Sequence, residues 1–122
     1  LNIIEQENKK IKNPNILNTV NSDLPLMILM RMATCKMQLG KSQDSIDLYT
    51  KAINLDKENY GLYVLRATAY IQQRNFLEAS KDIKFGVSNN SNDAKEFLEM
   101  INNYSKNNDP ESIEFLKHYS QL

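Results

Sequence analysis

The chain has 122 residues, enough for one modest hydrophobic core or for the continuous interior of a few stacked repeats. Fifteen basic residues balance fifteen acidic ones, so no net charge attracts nucleic acid or an anionic membrane, and nucleic-acid binding is disfavoured. One cysteine cannot form an internal disulfide, and no apolar run approaches the roughly 18 residues of a membrane-spanning helix. We therefore expect an intracellular protein, most simply a cytoplasmic one, without membrane insertion; a ciliary or mitochondrial assembly is also compatible with these features.

Residues 1–22 are predicted to be an N-terminal extension, made of a short helix and an irregular link. Leu1, Ile4 and Ile11 fall on one helical face, and the turn signal of Asn13 and Pro14 follows them. Alternatively, this turn signal ends a preceding repeat, but that interpretation needs an insertion of about ten residues.

Residues 23–59 are predicted to form the first pair of helices. Asp23 offers a capping oxygen, and Pro25 costs no hydrogen bond in the first turn of a helix. Gly40 can adopt the left-handed turn that ends this helix, and Ser42 is expected to cap the next one.

Residues 60–93 are predicted to form a second pair of helices, which ends in the asparagine- and serine-rich turn at 88–92. Residues 94–122 are predicted to form a degenerate third repeat or a pair of capping helices. Within them, Asp109 is expected to cap the last helix and Pro110 to occupy its first turn.

One spacing recurs through these predicted helices. The step that carries Leu29 to Tyr63 also carries Tyr63 to Phe97, and it carries Ala33 to Ala67. This spacing, which we call the repeat period, is about 34 residues, and such a period is typical of arrays of helix-turn-helix repeats. A bulky residue followed one helical turn later by a small one fits the same kind of array.

The residues at fixed places in the repeat period resemble the tetratricopeptide repeat family. The family has small residues where helices cross and aromatic or bulky residues between them. The chain matches this pattern with Ala33, Ser45, Tyr49 and Ala52 in the first copy, and with Ala67, Tyr70, Phe76, Ala79, Ile83 and Gly86 in the second. The resemblance implies an all-α fold, in which antiparallel helix-turn-helix repeats stack as a short right-handed α-solenoid.

The chain also departs from the family pattern. Lys57 and Ser91 replace the proline that usually ends the second helix, and Ser42 replaces an aromatic residue. In the third copy, Ile113 and Lys117 fill positions expected to be small and bulky, so we expect the last helix to pack differently.

The small residues are predicted to set the distance between helices. A larger side chain at a helix crossing would push the axes apart. The predicted repeat-packing residues are Ala33, Ala52, Ala67, Ala79 and Gly86.

The sequence offers no constellation for catalysis. Cys35 and His118 are the only residues of their kinds, and the chain has neither a serine elbow nor a glycine-rich phosphate loop. Cys35 is expected to be a small buried apolar residue, and His118 to complement the end of the last helix. A catalytic pairing of these two side chains remains the weaker alternative.

Carboxylates give no better case for a site. Asp44 with Asp47, and Glu96 with Glu99, are neighbours on helix surfaces with basic residues nearby. No loop collects enough oxygen ligands for a metal ion. We therefore predict no enzymatic activity, no cofactor and no metal site.

The resemblance also implies a concave groove, lined by the first helix of each repeat, that binds a protein partner. Carried over to this chain, the groove residues are Met27, Met30, Thr34, Met37, Val64, Leu65, Thr68, Ile71 and Leu98, with the polar neighbours Gln38, Gln72, Lys95, Glu99 and Asn102. The groove is mostly apolar and rich in methionine, which adapts to irregular shapes and suits an apolar or amphipathic segment.

Two other fillings of this groove stay open. The chain can fill it with residues 1–20 or with the apolar face of Ile113, Leu116 and Tyr119. Further repeats outside the chain can also stack against it.

One subclass of the family clamps the acidic tails of heat-shock chaperones with five characteristic polar and basic positions. The matching positions here carry Met30, Thr34, Leu65, Lys95 and Glu99, of which only Lys95 fits. Glu99 would repel a carboxylate, so binding of a chaperone tail is disfavoured.

The sequence therefore predicts a non-catalytic protein-protein interaction module that belongs to a larger protein or complex. Its partner would be an apolar or amphipathic segment in the concave groove. The alternative is an architectural subunit whose own termini fill the groove and which docks by its outer face.

Overall fold

A computed structural model describes residues 24–122, so the predicted N-terminal extension and the predicted cap at Asp23 lie outside the described residues. Six helices follow one another in chain order: α1 (Leu24–Gln38), α2 (Ser42–Leu55), α3 (Tyr60–Gln72), α4 (Phe76–Ser88), α5 (Asn92–Lys106) and α6 (Pro110–Ser120). No strand occurs between residues 24 and 122. The predicted all-α class is confirmed.

The repeat period of the sequence is also a period of the backbone. The first helices of the three pairs end at Gln38, Gln72 and Lys106, and the second helices begin at Ser42, Phe76 and Pro110. The turn within each pair contains one residue with positive φ: Gly40 at 76°, Arg74 at 62° and Asn108 at 64°. The helices therefore form three copies of one helix-turn-helix unit, an all-helical repeat fold.

Short polar side chains fix the start of the later helices. Asp109 accepts a hydrogen bond from the Ser112 amide at 3.0 Å, and Ser91 accepts one from the Ala94 amide at 3.3 Å. The predicted cap at Asp109 is confirmed. The predicted cap at Ser42 is wrong: Ser42 is already the first helical residue, and the flanking residue makes no side-chain cap bond.

The hydrophobic core lies between successive helices and has two parts. The part between α3 and α6 buries Ala67, Phe76, Ala79, Ile83, Phe97, Ile101 and Phe115. The part between α1 and α3 buries Ala52, Ile53 and Leu62. Each helix pair thus packs against its neighbours along the chain, as in repeat proteins.

The predicted repeat-packing residues lie at these contacts. The four alanines, Ala33, Ala52, Ala67 and Ala79, are completely buried. Gly86 lies so close to α5 that an added Cβ would be 2.7 Å from the Ala94 Cβ.

The last helix packs differently from the second helices of the other two pairs, as expected from Ile113 and Lys117. α6 lies against α4 as well as α5, whereas α2 and α4 make no comparable contact. Phe115 of α6 is completely buried, and its carbonyl accepts a hydrogen bond from the Ser80 hydroxyl of α4 at 3.3 Å.

A partly buried ion pair, which the sequence did not reveal, joins three helices. The guanidinium of Arg66 in α3 donates two hydrogen bonds to the Asp82 carboxylate in α4, at 2.9 and 2.6 Å, and a third to Thr50 in α2 at 3.3 Å. The Asp82 side chain is only 7% exposed. Burial raises the pKa of the Asp82 carboxyl above its ordinary value, and the hydrogen bond from Arg66 opposes that shift.

Candidate functional site

A surface depression, which we call the groove cavity, is lined by residues of α1, α3 and α5, the first helices of the three pairs. Its volume is about 470 Å³. The lining residues are Met30 of α1, Asn59 before α3, Gly61, Val64 and Leu65 of α3, and Asp93, Glu96, Phe97 and Met100 of α5.

The groove cavity combines an apolar floor with an acidic rim. Met30, Val64, Leu65, Phe97 and Met100 supply hydrocarbon and thioether surface. The rim carries two exposed carboxylates from the first turns of α5, those of Asp93 and Glu96. No basic side chain from residues 24–122 lines the cavity. The site can therefore hold an apolar segment, and it favours positive charge at the edge of that segment.

Gly61 shapes the end of the groove cavity where α3 and α5 begin. A Cβ at this position would be 3.0 Å from the Asp93 carboxylate oxygen and 3.4 Å from the Asn59 side-chain oxygen. The glycine therefore lets the acidic rim lie close to the α3 backbone. Asp93 itself lies in the first turn of α5, where the helix dipole stabilises a negative charge.

Phe97 separates the groove cavity from a second depression of about 220 Å³ between α3, α5 and the start of α6. Its other lining residues are Thr68, Ile71, Ile101, Tyr104, Asp109, Glu111 and Ser112. This second depression has the same character: an apolar floor bounded by carboxylates.

A third, open depression of about 440 Å³ lies along α1 and is lined by Met30, Arg31, Thr34, Cys35 and Gln38. Met30 is shared with the groove cavity. Met30 therefore borders both depressions.

The predicted groove residues divide among these three depressions. Met30, Val64 and Leu65 line the groove cavity, Thr68 and Ile71 line the second depression, and Thr34 lines the third. Of the predicted groove residues, the groove cavity therefore brings together Met30 of α1 with Val64 and Leu65 of α3.

Three predicted groove residues lie elsewhere. Met27 is exposed on α1, and Leu98 is half-buried against the core between α3 and α6. Met37 joins α1 to α3: its carbonyl accepts a hydrogen bond from the Gln72 amide at 3.0 Å, and its sulfur accepts one from Thr68 at 3.9 Å.

The acidic rim was not predicted. Asp93, Glu96, Phe97 and Met100 line the groove cavity, whereas the resemblance pointed to Lys95, Leu98, Glu99 and Asn102 of the same helix. The contact of Ala94 with Gly86 and the burial of Phe97 and Ile101 set the rotation of α5. The glycine at position 86 was the one signal in the sequence that could have revealed this orientation.

The two candidates for nucleophilic chemistry are His118 and Cys35, and they lie in different surroundings. His118 stacks on Phe76 with ring centroids 6.0 Å apart, and its Nδ1 lies 2.9 Å from the Glu114 carbonyl oxygen. Cys35 is exposed, so the prediction that it is buried is wrong. The cause is that no helix of the described chain covers this side of α1.

Across residues 24–122, no three histidine, cysteine or acidic side chains cluster in a way that could hold a metal ion. None of the six described helices is both long enough and apolar enough to cross a bilayer.

No protein-family model matches the chain, and no curated protein or solved structure matches it either. The assignment of a repeat fold therefore rests on the chain itself, through the period shared by its sequence and its backbone.

Proposed function

We propose that the protein is a non-catalytic interaction module of the tetratricopeptide type, which binds an apolar or amphipathic segment of a protein partner in the groove cavity. The observation that carries the proposal is the groove cavity itself, an open depression of about 470 Å³ with five apolar side chains and a charged rim. The module would act as a scaffold within a larger protein or multiprotein complex.

The tetratricopeptide assignment is supported by the helix boundaries. The ends of the first helices, the positive-φ residues of the turns and the starts of the second helices all recur with the repeat period of the sequence. A period of about 34 residues is the repeat length of the family.

The size and chemistry of the groove cavity support a peptide ligand. Binding pockets have volumes of roughly 300–1,000 Å³ and are mostly apolar with a few placed polar groups. An amphipathic helix binds a groove of this kind through apolar anchors on one face. Met30 of α1 and Met100 of α5 can adapt to anchors of different shape.

The charge of the rim narrows the class of partner. Asp93 and Glu96 would attract a lysine or arginine beside the apolar anchors, and they would repel an acidic tail. The partner we expect is therefore an apolar segment flanked by basic residues. Chaperone tails, which are acidic, remain disfavoured.

The test is an affinity pull-down from the lysate of the native organism with the wild-type chain and a Met30→Glu, Val64→Glu variant. The control variant, Leu55→Glu with Leu77→Glu, introduces the same two charges at exposed apolar positions outside the groove cavity. Circular dichroism establishes beforehand that all three proteins are equally helical. A partner retained by the control and lost only by the groove variant supports the proposal.

Equal recovery by all three proteins would contradict binding in the groove. Loss of helical structure in the groove variant alone would indicate that the chain fills the groove itself. A further pair, Asp93→Lys with Glu96→Lys, tests the rim: we expect weaker binding of the same partner, with a smaller dependence on salt.

A second candidate function is an architectural subunit that docks by its outer face. One observation favours it: Tyr60, Tyr63 and the exposed Phe85 form an aromatic cluster at the surface, with centroids 4.7–6.3 Å apart. Aromatic residues are enriched at the centres of protein interfaces. Partners whose recovery depends on Phe85 and not on Met30 would favour this function.

A further inference from the structure

The second depression, between α3, α5 and the start of α6, is less than half the size of the groove cavity. Its volume of about 220 Å³ also lies below the roughly 300 Å³ at which pockets for whole ligands begin. A depression of this size fits one side chain of a larger ligand.

The surface of the second depression is mostly apolar. Ile71 of α3 and Ile101 of α5 contribute hydrocarbon, and the half-exposed Tyr104 contributes an aromatic ring. The methylene stem of a lysine or arginine can pack on such a surface while its charged end stays in water. The ring of Tyr104 also attracts a cation, because the face of an aromatic ring is negative.

Two carboxylates at the start of α6, those of Asp109 and Glu111, bound the second depression. The Oδ2 atom of Asp109 accepts hydrogen bonds from the Ser112 amide at 3.0 Å and from the Ser112 hydroxyl at 2.6 Å. Both bonds are made by Oδ2, so Oδ1 can accept a hydrogen bond from a ligand. No basic side chain from residues 24–122 lines this depression.

Two positive charges oppose these carboxylates without cancelling them. The N-terminus of α6 is equivalent to about half a positive charge. Arg74 lies 4.0 Å from the Glu111 carboxylate, and both side chains are more than half exposed, so their interaction is weak. The second depression therefore still favours a cation.

Phe97 lines both the groove cavity and the second depression, so one ligand can reach both. The lining residues advance along α3 from 61–65 to 68–71, and along α5 from 93–100 to 97–104. These steps of about four to six residues correspond to roughly 6–9 Å along the helix axes. In a helical ligand, side chains four residues apart share one face and are separated by roughly 6 Å along the axis.

We propose that the second depression is a subsite for a lysine or arginine side chain of a helical partner segment, one turn away from the apolar residue that occupies the groove cavity. The stem of this side chain packs on Ile71 and Ile101, and its charged end lies between Asp109 and Glu111. The inference rests on the proposed function for the partner segment, but the subsite itself can be tested with a small cation.

The first measurement uses n-butylammonium, which has the stem and the charge of a lysine side chain. It is titrated into the full chain with ¹³C-labelled isoleucine methyl groups, and we expect the NMR signals of Ile71 and Ile101 to shift. Ile28, which is half exposed on α1, reports unspecific binding. The uncharged probe n-butanol should bind on the order of fivefold more weakly. Equal binding of the two probes, or unshifted Ile71 and Ile101 signals, would overturn the proposal.

The variant Asp109→Asn with Glu111→Gln removes both charges, and asparagine at position 109 can still cap α6. This variant should bind the two probes equally. The control variant, Glu99→Gln with Glu114→Gln, removes two carboxylates of α5 and α6 that line neither depression and should keep the preference for n-butylammonium. A preference that persists in the first variant would also overturn the proposal.

A peptide tests the connection between the two depressions. The probe is a 16-residue alanine- and glutamine-based helical peptide with a central leucine and with lysines four positions before and after it, so either orientation presents a lysine to the second depression. We expect it to shift the methyl signals of Met30 and Met100 in the groove cavity together with those of Ile71 and Ile101. A peptide with norleucine in place of both lysines, and one with the lysines moved by two positions, should bind on the order of fivefold more weakly.

The two sets of methyl groups separate the possible failures. Shifts of the methionine signals alone, or equal affinity of the three peptides, would overturn the subsite while supporting peptide binding in the groove cavity. A response to n-butylammonium without a response to any peptide would contradict the proposed function and support the subsite.

Discussion

The first and second helix pairs have the same backbone plan but stabilise it by different chemistry. Where the second pair has Arg66 and Asp82 in a partly buried ion pair, the first has Met32 and Leu48 at the equivalent positions, lining a shallow surface depression. Ile28 is half exposed, and its counterpart Leu62 is buried. The comparison teaches that a neighbouring helix, more than the hydrophobicity of a residue, decides which positions of a repeat are buried.

The largest effect is expected from breaking the ion pair of the second helix pair. Asp82→Ala leaves the guanidinium of Arg66, whose side chain is 18% exposed, without its carboxylate. Removing one partner of a fully buried pair costs about 3–5 kcal/mol, and the partial exposure of Arg66 places this pair at the lower end of that range. The free energy of unfolding, measured by urea denaturation, should decrease by that amount.

The same position allows the second pair to be made like the first. The double variant Arg66→Met, Asp82→Leu replaces the charged pair by the two residues found at the equivalent positions. Apolar replacement of a buried ion pair is often neutral or stabilising. We expect the double variant to recover most of the stability lost by Asp82→Ala, and a double variant no more stable than the single one would show that the ion pair is needed.

A smaller effect is expected where helices cross. Ala67 is completely buried and packs within the core cluster between α3 and α6. A leucine there should destabilise the fold by about 1–3 kcal/mol because the interior cannot expand freely. Ala33→Leu, at the equivalent position of α1, should cost less, since α1 has fewer neighbours among the described helices and can shift outwards.

The measurement is again a pair of urea midpoints. Unchanged midpoints for both variants would contradict the repeat register that places these alanines at crossings. A larger shift for Ala33→Leu than for Ala67→Leu would contradict the expectation that α1 can shift outwards.

The limits of the helices were predictable because residues that favour turns and helix caps lie between them. Gly40, with its positive φ, and Asp109, with its capping bond, both mark helix limits where the sequence placed them. The left-handed residue Arg74 was not anticipated, since nothing in its side chain favours that conformation.

Contacts between repeats were much less predictable. The pairing of Arg66 with Asp82 depends on which faces of α3 and α4 meet, and neither residue belongs to the repeat pattern. Cys35 was expected to be a small buried apolar residue, but no helix among residues 24–122 covers the side of α1 on which it lies. The acidic rim was missed because the rotation of α5 follows from one close contact at Gly86.

The close contact between Gly86 and Ala94 leads to a further prediction. Gly86 and Ala52 are equivalent in the repeat period, but a Cβ at position 86 would lie 2.7 Å from the Ala94 Cβ. Alanine is favoured over glycine in a helix by about 1 kcal/mol, whereas overpacking costs about 1–3 kcal/mol. We expect Gly86→Ala to lower the free energy of unfolding by about 1 kcal/mol. Because α5 lines the groove cavity, a rotation of α5 caused by this change should also weaken partner binding.

The reverse change, Ala52→Gly, removes a buried methyl group and lowers helix propensity without relieving any clash, so it should destabilise too. A stabilised Gly86→Ala variant, measured by its urea midpoint, would indicate that α5 moves away from α4 at little cost.

The smallest effect concerns a hydroxyl group that distinguishes the first pair from the second. Ser45 is completely buried, and its Oγ has no hydrogen-bond partner in the described part of the chain, whereas the equivalent position of the second pair is Ala79. An unsatisfied buried hydroxyl is destabilising, so Ser45→Ala should raise the free energy of unfolding by up to about 1 kcal/mol. The converse change, Ala79→Ser, should lower it, because the second pair would then acquire the same unpaired group. If Ser45→Ala destabilises the protein instead, the Ser45 hydroxyl has a hydrogen-bond partner in solution, and the two positions then differ in their environment as well as in their side chain.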